Sequence, residues 1–596
     1  KCPAGLGSAG DCGETVGERE GAVALNNVAV PFSCTFFEAC SDASLDETIG
    51  NDGFYQKTKT SAPIGKRRFM VKSRPYQLKL PIEIGRIIPE DDCVRLLGHF
   101  VEELDLSDLY STYSKVKENQ VSPRQMLKIM LYAYHERNYS SRGIEKACNR
   151  DINYMYLLEG RSAPDHATIA RFRSIHFSPV AEKYLSLTVN YLMELGEIGG
   201  NEIFIDGTKI EANANKYTFV WKKSVTKNQA RLLDKIALLV QECVKTYDLK
   251  EIWHGEVKEK HLGKILKKLY RIKDEEGIEF VHGAGHRKTQ LQKHIELMEE
   301  YTARLQEYSK KLRILGSRNS YSKTDHDATF MRMKEDSMMN GQLKPAYNLQ
   351  LGVDSGYISW LTLSPRPTDT MTLIPFLRGM ETSLHHKYPV VVADAGYESE
   401  ENYSFLENHG IVAMIKPANY EISKRKKYQT DISRKENMMY NPDGDFYICK
   451  RGCRLYACGN QNRKTSTGYI RKETVYRCYE CNQCPHKSEC IKGRNWKIPE
   501  EKRYKTLTVS RKFERQRREC LDRITSEKGV QLRVNRSIQA EGAFALWKED
   551  QKFRQFLCRG QANVYAESVL MAIAQNIENL HRHIQKRQLG QHLYEV

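Results

Sequence analysis

Apolar positions recur with different periods along this chain, and each period predicts a different kind of element. From about residue 90 to 195 they recur every three or four residues, which predicts several short helices. Ser122-Pro123, Ser140 and Asp165 are residue types that begin helices. The last of these helices is basic, with Arg171 and Arg173. This region is predicted to be either a helix-turn-helix-like DNA-binding domain or a plain helical bundle.

Two apolar runs further on have the composition of buried strands, and each runs up to an aspartate. Residues 202–205 precede Asp206, and residues 390–393 precede Asp394. We predict two strands that end at these aspartates, each followed by a turn that contains glycine. Between them, residues 347–363 predict a β-hairpin around Asp354-Ser355-Gly356. Helical patterns then alternate with strands, which favours an α/β layer over a β-sandwich.

Changes in pattern divide the chain into segments. Residues 222–318 are highly charged, with apolar residues at helical spacing, and predict an inserted helical hairpin whose apolar stripe is core packing. Residues 421–510 are β-like, basic and rich in cysteine. The predicted segments are 1–69, a 70–195 helical domain, core parts 196–221 and 319–420, insertions 222–318 and 421–510, and a C-terminal helical part of the core, 511–596.

Residues 1–69 differ from the rest of the chain. They are rich in Gly, Ser and Ala, and the first methionine is Met70. We expect this segment to be disordered or translated upstream sequence, outside the working fold.

The charge of the chain narrows the class of partner. The formal net charge is +18 over 596 residues, which points to an anionic partner, with nucleic acid ahead of a membrane surface. Residues 421–520 carry 26 Lys and Arg against 12 Asp and Glu, so most of the excess lies in one segment, which is expected to touch phosphates. No apolar run approaches the roughly 20 residues that a membrane span needs.

Three carboxylates share a context that suits metal chemistry. Asp206 and Asp394 follow strands of the buried type, and open α/β sheets bind ligands at strand ends. Glu541 lies on a predicted helix, with Lys548 seven residues later on the same face. Such carboxylates can hold two Mg²⁺ ions that activate water and stabilise a leaving phosphate oxygen. We interpret three other acidic residues as turn formers: Asp325, Asp327 and Asp354.

The stretch around Glu541 carries the most specific pattern. It runs through Leu532, Arg536, Glu541, Phe544, Lys548, Phe553, Arg554 and Arg559-Gly560. With the two aspartates, it resembles the bacterial insertion-sequence DDE transposases that have an RNase H-like core, from about Met70 to the C-terminus. Relatives with Tyr, Arg, Glu and Lys in this motif are matched at the Glu and Lys. Their Tyr position is Val534, and their Arg position is Ser537, one residue after Arg536.

The resemblance implies an α/β RNase H-like core with an all-α N-terminal DNA-binding domain, a helical insertion and a small β-rich Cys-containing insertion. It implies that Asp206, Asp394 and Glu541 form an acidic triad that binds two Mg²⁺ ions, with Mn²⁺ able to substitute. One ion would activate water to nick the element end, and the freed 3′-hydroxyl would attack target DNA. The residues expected to contact DNA are Lys548, Arg536, Arg171 and Arg173.

The implied partners are the terminal inverted repeats of the element and target DNA, without a membrane. We expect a homodimer in the DNA complex and a cytoplasmic, nucleoid-associated protein. Two alternatives remain open: a DNA-binding protein derived from a transposase that has lost catalysis, and an RNase H-like nuclease that cuts without joining.

Seven of the sixteen cysteines fall between residues 449 and 490. Without a secretory signal, they are better interpreted as thiols or metal ligands than as disulfides. Spacings of two to four residues suit a tetrahedral Zn²⁺ site with a structural role, and unligated thiols are the alternative. The expected ligands are Cys478, Cys481, Cys484 and Cys490, with Cys449 or Cys453 able to replace Cys478 and His486 as a further candidate.

Overall fold

The computed structural model describes residues 83–113, 120–249, 259–283, 285–333, 341–492 and 498–591. These residues belong to one compact unit that spans Pro81–Val596. The prediction about residues 1–69 therefore lies outside the described residues. In the described ranges, no helix is both long enough and apolar enough to cross a membrane.

A six-stranded mixed sheet lies at the centre of this unit. Its strands run in the order β6–β5–β1–β7–β8, and β4 pairs with the first part of β5. Strand β1 is antiparallel to β5 and parallel to β7, which is parallel to β8. The strands are β1 Glu202–Glu211, β2 Phe219–Trp221, β3 Ser320–Ser322, β4 Thr329–Arg332, β5 Leu343–Asp354, β6 Tyr357–Ser364, β7 Val390–Ala393, β8 Val412–Ile415, β9 Met439–Asn441, β10 Phe446–Ile448, β11 Arg454–Lys464, β12 Ile470–Arg477 and β13 Thr506–Val509.

Helices surround the sheet and form most of the remaining structure. They are α1 Ile84–Ile87, α2 Cys93–Glu103, α3 Ser107–Ser111, α4 Pro123–His135, α5 Ser141–Cys148, α6 Ile152–Leu158, α7 His166–Arg171, α8 Ala181–Glu194, α9 Lys222–Thr246, α10 Glu259–Glu275, α11 Gln290–Leu315, α12 Leu373–Leu384, α13 Glu400–Asn408, α14 Tyr420–Ser423, α15 Lys426–Gln429, α16 Lys487–Cys490, α17 Arg511–Thr525, α18 Glu527–Arg536, α19 Gly542–Ala545 and α20 Gln561–Gln585. The segments Phe172–Phe177, Ser537–Glu541 and Leu546–Asp550 are π-helical.

The predicted end of the first strand is wrong. Strand β1 does not stop at Asp206 but continues to Glu211. It continues because β5 pairs with it along this length, from Asp206 opposite Leu351 to Glu211 opposite Ala346. Only the parallel pairing with β7 stops at the aspartate, so Asp206 lies where the sheet loses its neighbour on one side.

The predicted β-hairpin is confirmed. Strands β5 and β6 pair around Ser355 and Gly356, whose φ angles are 53° and 83°. A two-residue turn with both φ angles positive matches the twist of an antiparallel pair. The predicted strand ending at Ala393 and the helix beginning after Ser399 are also present.

The N-terminal helices begin where the sequence predicts. Ser122 and Gln125 form a reciprocal capping box at α4, and Asp165 accepts a hydrogen bond from the Thr168 amide at α7. These helices share one hydrophobic core with the central sheet and α20. The helices therefore do not pack as an independent bundle, and α20 packs with them against the central sheet.

Among its described residues, the segment predicted to be a helical hairpin has three helices instead of two: α9, α10 and α11. They pack around their own hydrophobic core, which includes Ile236, Ile265 and Ile295. The prediction that the apolar stripe is core packing is confirmed. The sequence missed the middle helix because its apolar positions Leu262, Ile265 and Leu269 stand among many charges.

The basic, cysteine-rich segment forms a second sheet, in the order β13–β12–β11–β10–β9. The tip of its β11–β12 hairpin rests on α13. There the Tyr469 hydroxyl donates to Glu400 Oε1 at 3.0 Å, and the Thr467 hydroxyl donates to Glu401 Oε2 at 2.6 Å. Since α13 begins six residues after Asp394, the tip of the hairpin contacts the start of the helix that follows that aspartate.

The C-terminal region is not one continuous helix. Between Gln551 and Gly560 the chain leaves the helical path, and the Phe556 amide donates to the Glu211 carbonyl oxygen at 2.9 Å. Helix α20 then begins beside two acidic residues that the sequence marked as turn formers. Asp325 accepts from the Gly560 amide at 3.3 Å, and Asp327 accepts from the Gln561 amide at 2.9 Å.

Candidate active site

Asp206 and Asp394 lie on neighbouring parallel strands. Ile205 pairs with Ala393, so the two aspartates are the next residues on adjacent strands, which in a sheet run about 4.8 Å apart. Asp206 is nearly buried. Asp394 Oδ1 accepts from the Gly396 amide at 2.8 Å and begins a short turn. The sheet therefore brings these two carboxylates together, as the sequence predicts.

Arg536 connects Asp206 to Glu541. Its guanidinium lies 3.7 Å from Asp206 Oδ1 and donates to Glu541 Oε1 at 2.5 Å. The Ser537 hydroxyl donates to the other oxygen of Glu541 at 3.0 Å. A hydrogen bond of 3.0 Å from the Gly356 amide to Gln539 Oε1 fixes this π-helical segment against the β5–β6 turn. Carboxylates separated by more than three hundred residues thus converge around one cation.

An ion pair anchors the loop that follows Asp394. Arg517 on α17 donates to both oxygens of Glu398, at 2.7 and 2.9 Å. The side chain of Glu398 is almost fully buried. Two parallel hydrogen bonds between a guanidinium and a carboxylate fix geometry as well as charge. The pair therefore holds the Asp394 turn against the C-terminal helices.

The sequence missed a polar network under these carboxylates. Asp369 Oδ1 accepts from Asn348 Nδ2 at 2.7 Å and from Gln350 Nε2 at 3.0 Å. Gln350 Oε1 in turn accepts from the Thr372 hydroxyl at 2.9 Å and from the Tyr397 hydroxyl. One signal was present in the sequence: Asn348 and Gln350 interrupt an otherwise apolar strand, and buried amides need partners.

The Tyr397 hydroxyl reports the electrostatics of the site. Burial raises its pKa well above the ordinary value, and the negative charges of Asp369, Asp206 and Asp394 raise it further. The positive charge of Arg536 acts in the opposite direction. The negative charges of three carboxylates therefore act on this one hydroxyl group. Like charges held this close destabilise one another unless a cation neutralises them.

The donor set fits a hard divalent cation. Asp206, Asp394 and Glu541 offer carboxylate oxygens, the ligands that Mg²⁺ prefers. Arg536 already supplies positive charge between two of them, so the site favours a cation at this point. In this arrangement no group of three or more His, Cys, Asp or Glu side chains among the described residues is spaced to hold a metal ion. The carboxylates would have to exchange the guanidinium for metal.

The residues expected to contact DNA fall in different environments. Arg171 is exposed on α7, and Lys548 is half-buried in a π-helical turn. Arg536 lies at the carboxylates. Arg173 is 4% exposed, donates to the Tyr139 carbonyl oxygen at 2.9 Å, and lies over the Tyr134 ring. Its burial corrects the prediction: Arg173 packs the helical region against the C-terminal segment and has no surface for DNA.

The prediction that Glu541 and Lys548 lie on one helical face assumes a regular α-helix between them. Two π-helical segments, Ser537–Glu541 and Leu546–Asp550, flank the short helix α19 between them. Because π-helical turns close i→i+5 hydrogen bonds, the 3.6-residue period assumed from the sequence does not apply across this stretch.

Six cysteines line one small cavity in the second sheet: Cys449, Cys453, Cys478, Cys481, Cys484 and Cys490. The Cys449 amide donates to the Cys453 carbonyl oxygen at 2.9 Å, closing a tight hairpin, and the Lys505 amide donates to Cys481 Sγ at 3.2 Å. Burial raises the pKa of the Cys490 thiol. Cys458 is exposed, away from the cavity, and its thiol donates to the Val475 carbonyl oxygen.

Comparison with known protein families adds an independent finding. The model of the transposase DDE domain matches residues 448–581, and the model of a transposase domain (DUF772) matches residues 82–174. The first match includes Glu541 and the cysteine cluster, and the second covers the N-terminal helices through Arg173. No curated protein and no solved structure matches the chain.

Proposed function

Because the chain belongs to the insertion-sequence DDE transposases, we propose that it binds the ends of its insertion sequence and catalyses metal-dependent cleavage and strand transfer. The observation that carries this proposal is that Asp206 lies beside Asp394 on neighbouring strands and is bridged by Arg536 to Glu541. The strand order, with β1 between an antiparallel and a parallel neighbour, supports an RNase H-like core for this site.

In this proposal Asp206, Asp394 and Glu541 hold two divalent metal ions. When bound, such a pair activates a water or a 3′-hydroxyl and stabilises the leaving oxygen. Asp206 is held in position by the pairing of β1 with β5, and the turn that begins at Asp394 is held by the Arg517–Glu398 ion pair. With metal bound by the carboxylates, the Arg536 guanidinium would no longer be needed to neutralise Asp206 and Glu541 and could hold a DNA phosphate.

DNA binding would use two separate surfaces. On the N-terminal helices, Arg142 and Lys146 on α5 and Arg171 on α7 are exposed, and α5 is linked to α7 by the His166–Glu145 contact of 2.9 Å. These residues suit recognition of the element ends. Near the active site, Lys548 and the exposed basic residues of the β11–β12 hairpin suit phosphate contacts. A homodimer would bring two ends together.

The cysteine cavity would hold a structural Zn²⁺ ion. Its support is that six cysteines from two chain segments, 449–453 and 478–490, line one cavity. Four of them would have to close on the ion, because no three potential ligands in the described part of the chain are yet at metal-binding spacing. Cys481, Cys484 and Cys490 are the proposed ligands, with Cys478 or a cysteine of the 449–453 hairpin as the fourth.

Substitution of each carboxylate tests the catalytic proposal. We expect Asp206→Asn, Asp394→Asn and Glu541→Gln each to abolish cleavage of a duplex that carries the borders of the insertion sequence. Binding of that duplex and the melting temperature should stay close to wild type, because each change removes charge and keeps side-chain shape. The measurement is single-turnover cleavage with Mg²⁺, beside a gel-shift assay and a thermal melt.

Asp327→Asn is the matched control. Asp327 is exposed and accepts one backbone hydrogen bond at α20, which asparagine can also accept. Asp325 is unsuitable, since it is buried and accepts from the Tyr347 hydroxyl at 2.8 Å. If any of the three site variants cleaves at the wild-type rate, that residue is not a metal ligand. Wild-type cleavage without strand transfer would favour a nuclease, and binding without cleavage would favour a non-catalytic derivative.

A further inference from the structure

Asp369, in the short turn between β6 and α12, lies against glycines that closely follow Asp206 and Asp394. Two glycines make room for its carboxylate. A Cβ atom on Gly207 would lie 2.9 Å from Asp369 Oδ1, and a Cβ atom on Gly396 would lie 3.2 Å from Asp369 Oδ2. Gly207 directly follows Asp206, and Gly396 is two residues after Asp394. The carboxylate of Asp369 is therefore in contact with the backbone beside each of them.

The two oxygens of Asp369 have different surroundings. Oδ1 accepts from Asn348 and Gln350, which stand two residues apart on β5 and so on the same face of the sheet. Both amides are buried, at 1% and 0% exposure. Oδ2 points instead to the Gly396 backbone, beside Asp394 Oδ1, which would lie 3.0 Å from the same Cβ position.

The negative charge of Asp369 lowers stability at this position unless a cation compensates it. A buried amide needs a hydrogen-bond partner, but a neutral side chain such as Asn or Ser could satisfy Asn348 and Gln350 without bringing a further negative charge beside Asp206 and Asp394. The arrangement fixes Oδ1 by two hydrogen bonds and leaves Oδ2 at the Gly396 backbone, where Asp394 Oδ1 also lies. Metal-binding carboxylates are themselves held by hydrogen bonds in this manner.

We propose that Asp369 is a fourth carboxylate of the active centre and binds one of the two divalent metal ions through Oδ2. Asn348 and Gln350 are then positioning residues that orient Oδ2 by holding Oδ1. This inference rests on the proposed metal-dependent function. It differs from a purely structural role, in which Asp369 only satisfies the two buried amides.

Metal binding by Asp369→Asn in the full chain distinguishes the two roles. Asparagine keeps an oxygen for Asn348 and Gln350 and removes the charge at Oδ2. Titration calorimetry with Mn²⁺, without DNA, should show at least about a tenfold loss of affinity for one ion. The melting temperature in EDTA should remain within about 2 °C of wild type. Unchanged Mn²⁺ binding would overturn the inference, whether or not the melting temperature falls.

Asp369→Cys gives a second test, in which the preference for one metal over another is measured. A purely structural role of Asp369 would leave this preference unchanged. A thiolate favours soft metals, so this variant should bind Cd²⁺ more tightly than wild type does, while its affinity for Mg²⁺ falls. If the preference for Cd²⁺ over Mg²⁺ is the same as in wild type, Asp369 does not touch the metal. Asp327→Asn, which is remote from this site, should behave as wild type in both titrations.

Asp206→Asn in the same titration separates this inference from the proposed function. If Asp206→Asn binds Mn²⁺ as wild type does, the proposed metal site itself is wrong. If Asp206→Asn loses Mn²⁺ and Asp369→Asn keeps both ions at wild-type affinity, the metal site is supported. Only the assignment of Asp369 as a fourth metal ligand is then wrong.

Discussion

Glycine at position 207 decides whether the carboxylate cluster can form. A Cβ atom there would lie 2.4 Å from Gln350 Nε2 and 2.9 Å from Asp369 Oδ1. Both groups are held by further hydrogen bonds, so neither can move aside easily. The residue after Asp206 is therefore constrained by close packing, and its φ angle is not the reason for glycine, since Gly207 is not among the glycines with positive φ.

We predict that Gly207→Ala lowers the free energy of unfolding by about 1–3 kcal/mol through overpacking, and reduces cleavage more than DNA binding. Chemical denaturation and single-turnover cleavage measure the two effects. Gly263→Ala is the control, because a Cβ atom on this α10 glycine meets nothing within 4 Å, and alanine should stabilise the helix by up to about 1 kcal/mol. Equal stability of the two variants would show that the network yields to a methyl group.

At the level of elements, local patterns predicted most of the fold. The caps at Ser122, Ser140 and Asp165 and the Ser355-Gly356 turn act within a few residues, so the sequence reveals them directly. The length of β1 depends on its pairing with β5, which is more than one hundred residues away. The pattern of apolar and polar residues within β1 does not predict that pairing. Sequence patterns report the neighbours along the chain better than the neighbours in space.

The same distinction explains the site. The proximity of Asp206 and Asp394 could be predicted because each follows an apolar run, and Glu541 became a candidate because the pattern around it is specific. Asp369 follows a proline-rich loop and has the sequence context of an ordinary helix cap. The sequence predicts that Arg173 lies on a basic helix, but its burial and its contact with the Tyr139 carbonyl oxygen show that it is internal. Hydrogen bonds to residues distant in the sequence determine the positions of both Asp369 and Arg173.

The cysteine-rich sheet gives a prediction at the level of elements. We predict that the purified chain carries about one Zn²⁺ ion, since tight cysteine spacings suit a tetrahedral site, and that Cys484→Ser lowers this content and exposes the 449–490 segment to protease. Elemental analysis and limited proteolysis are the measurements. Cys458→Ser should retain zinc, because this exposed thiol lies outside the cavity. A zinc-free wild-type protein of unchanged stability would eliminate the site.

At the level of the whole molecule, two surfaces should contribute differently to DNA binding. We predict that Lys548→Ala weakens binding to element ends and to random duplex alike and reduces the salt slope by about one phosphate contact. Arg171→Ala should weaken binding to element ends by about 1–3 kcal/mol, with less effect on random duplex, if it touches bases. Affinity measured against salt on both DNAs distinguishes them.

A thermal melt accompanies these measurements. Both variants should melt as wild type does, since Arg171 is exposed and Lys548 is only half-buried. An unchanged salt slope with a large fall in melting temperature would assign Lys548 to structure. Equal losses on both DNAs would make Arg171 a phosphate contact.

The long separation of Asp206 from Glu541 has a consequence for timing. At about 5–20 residues per second, a ribosome needs roughly 15–70 seconds to make the chain between them. During that interval β1 has its carboxylate but lacks its counterpart, and the N-terminal helices lack α20, against which they pack. Under the proposed function, a nascent or truncated chain that ends before Glu541 would lack one metal ligand as well as α20. We therefore expect DNA cleavage only after synthesis of the chain is complete.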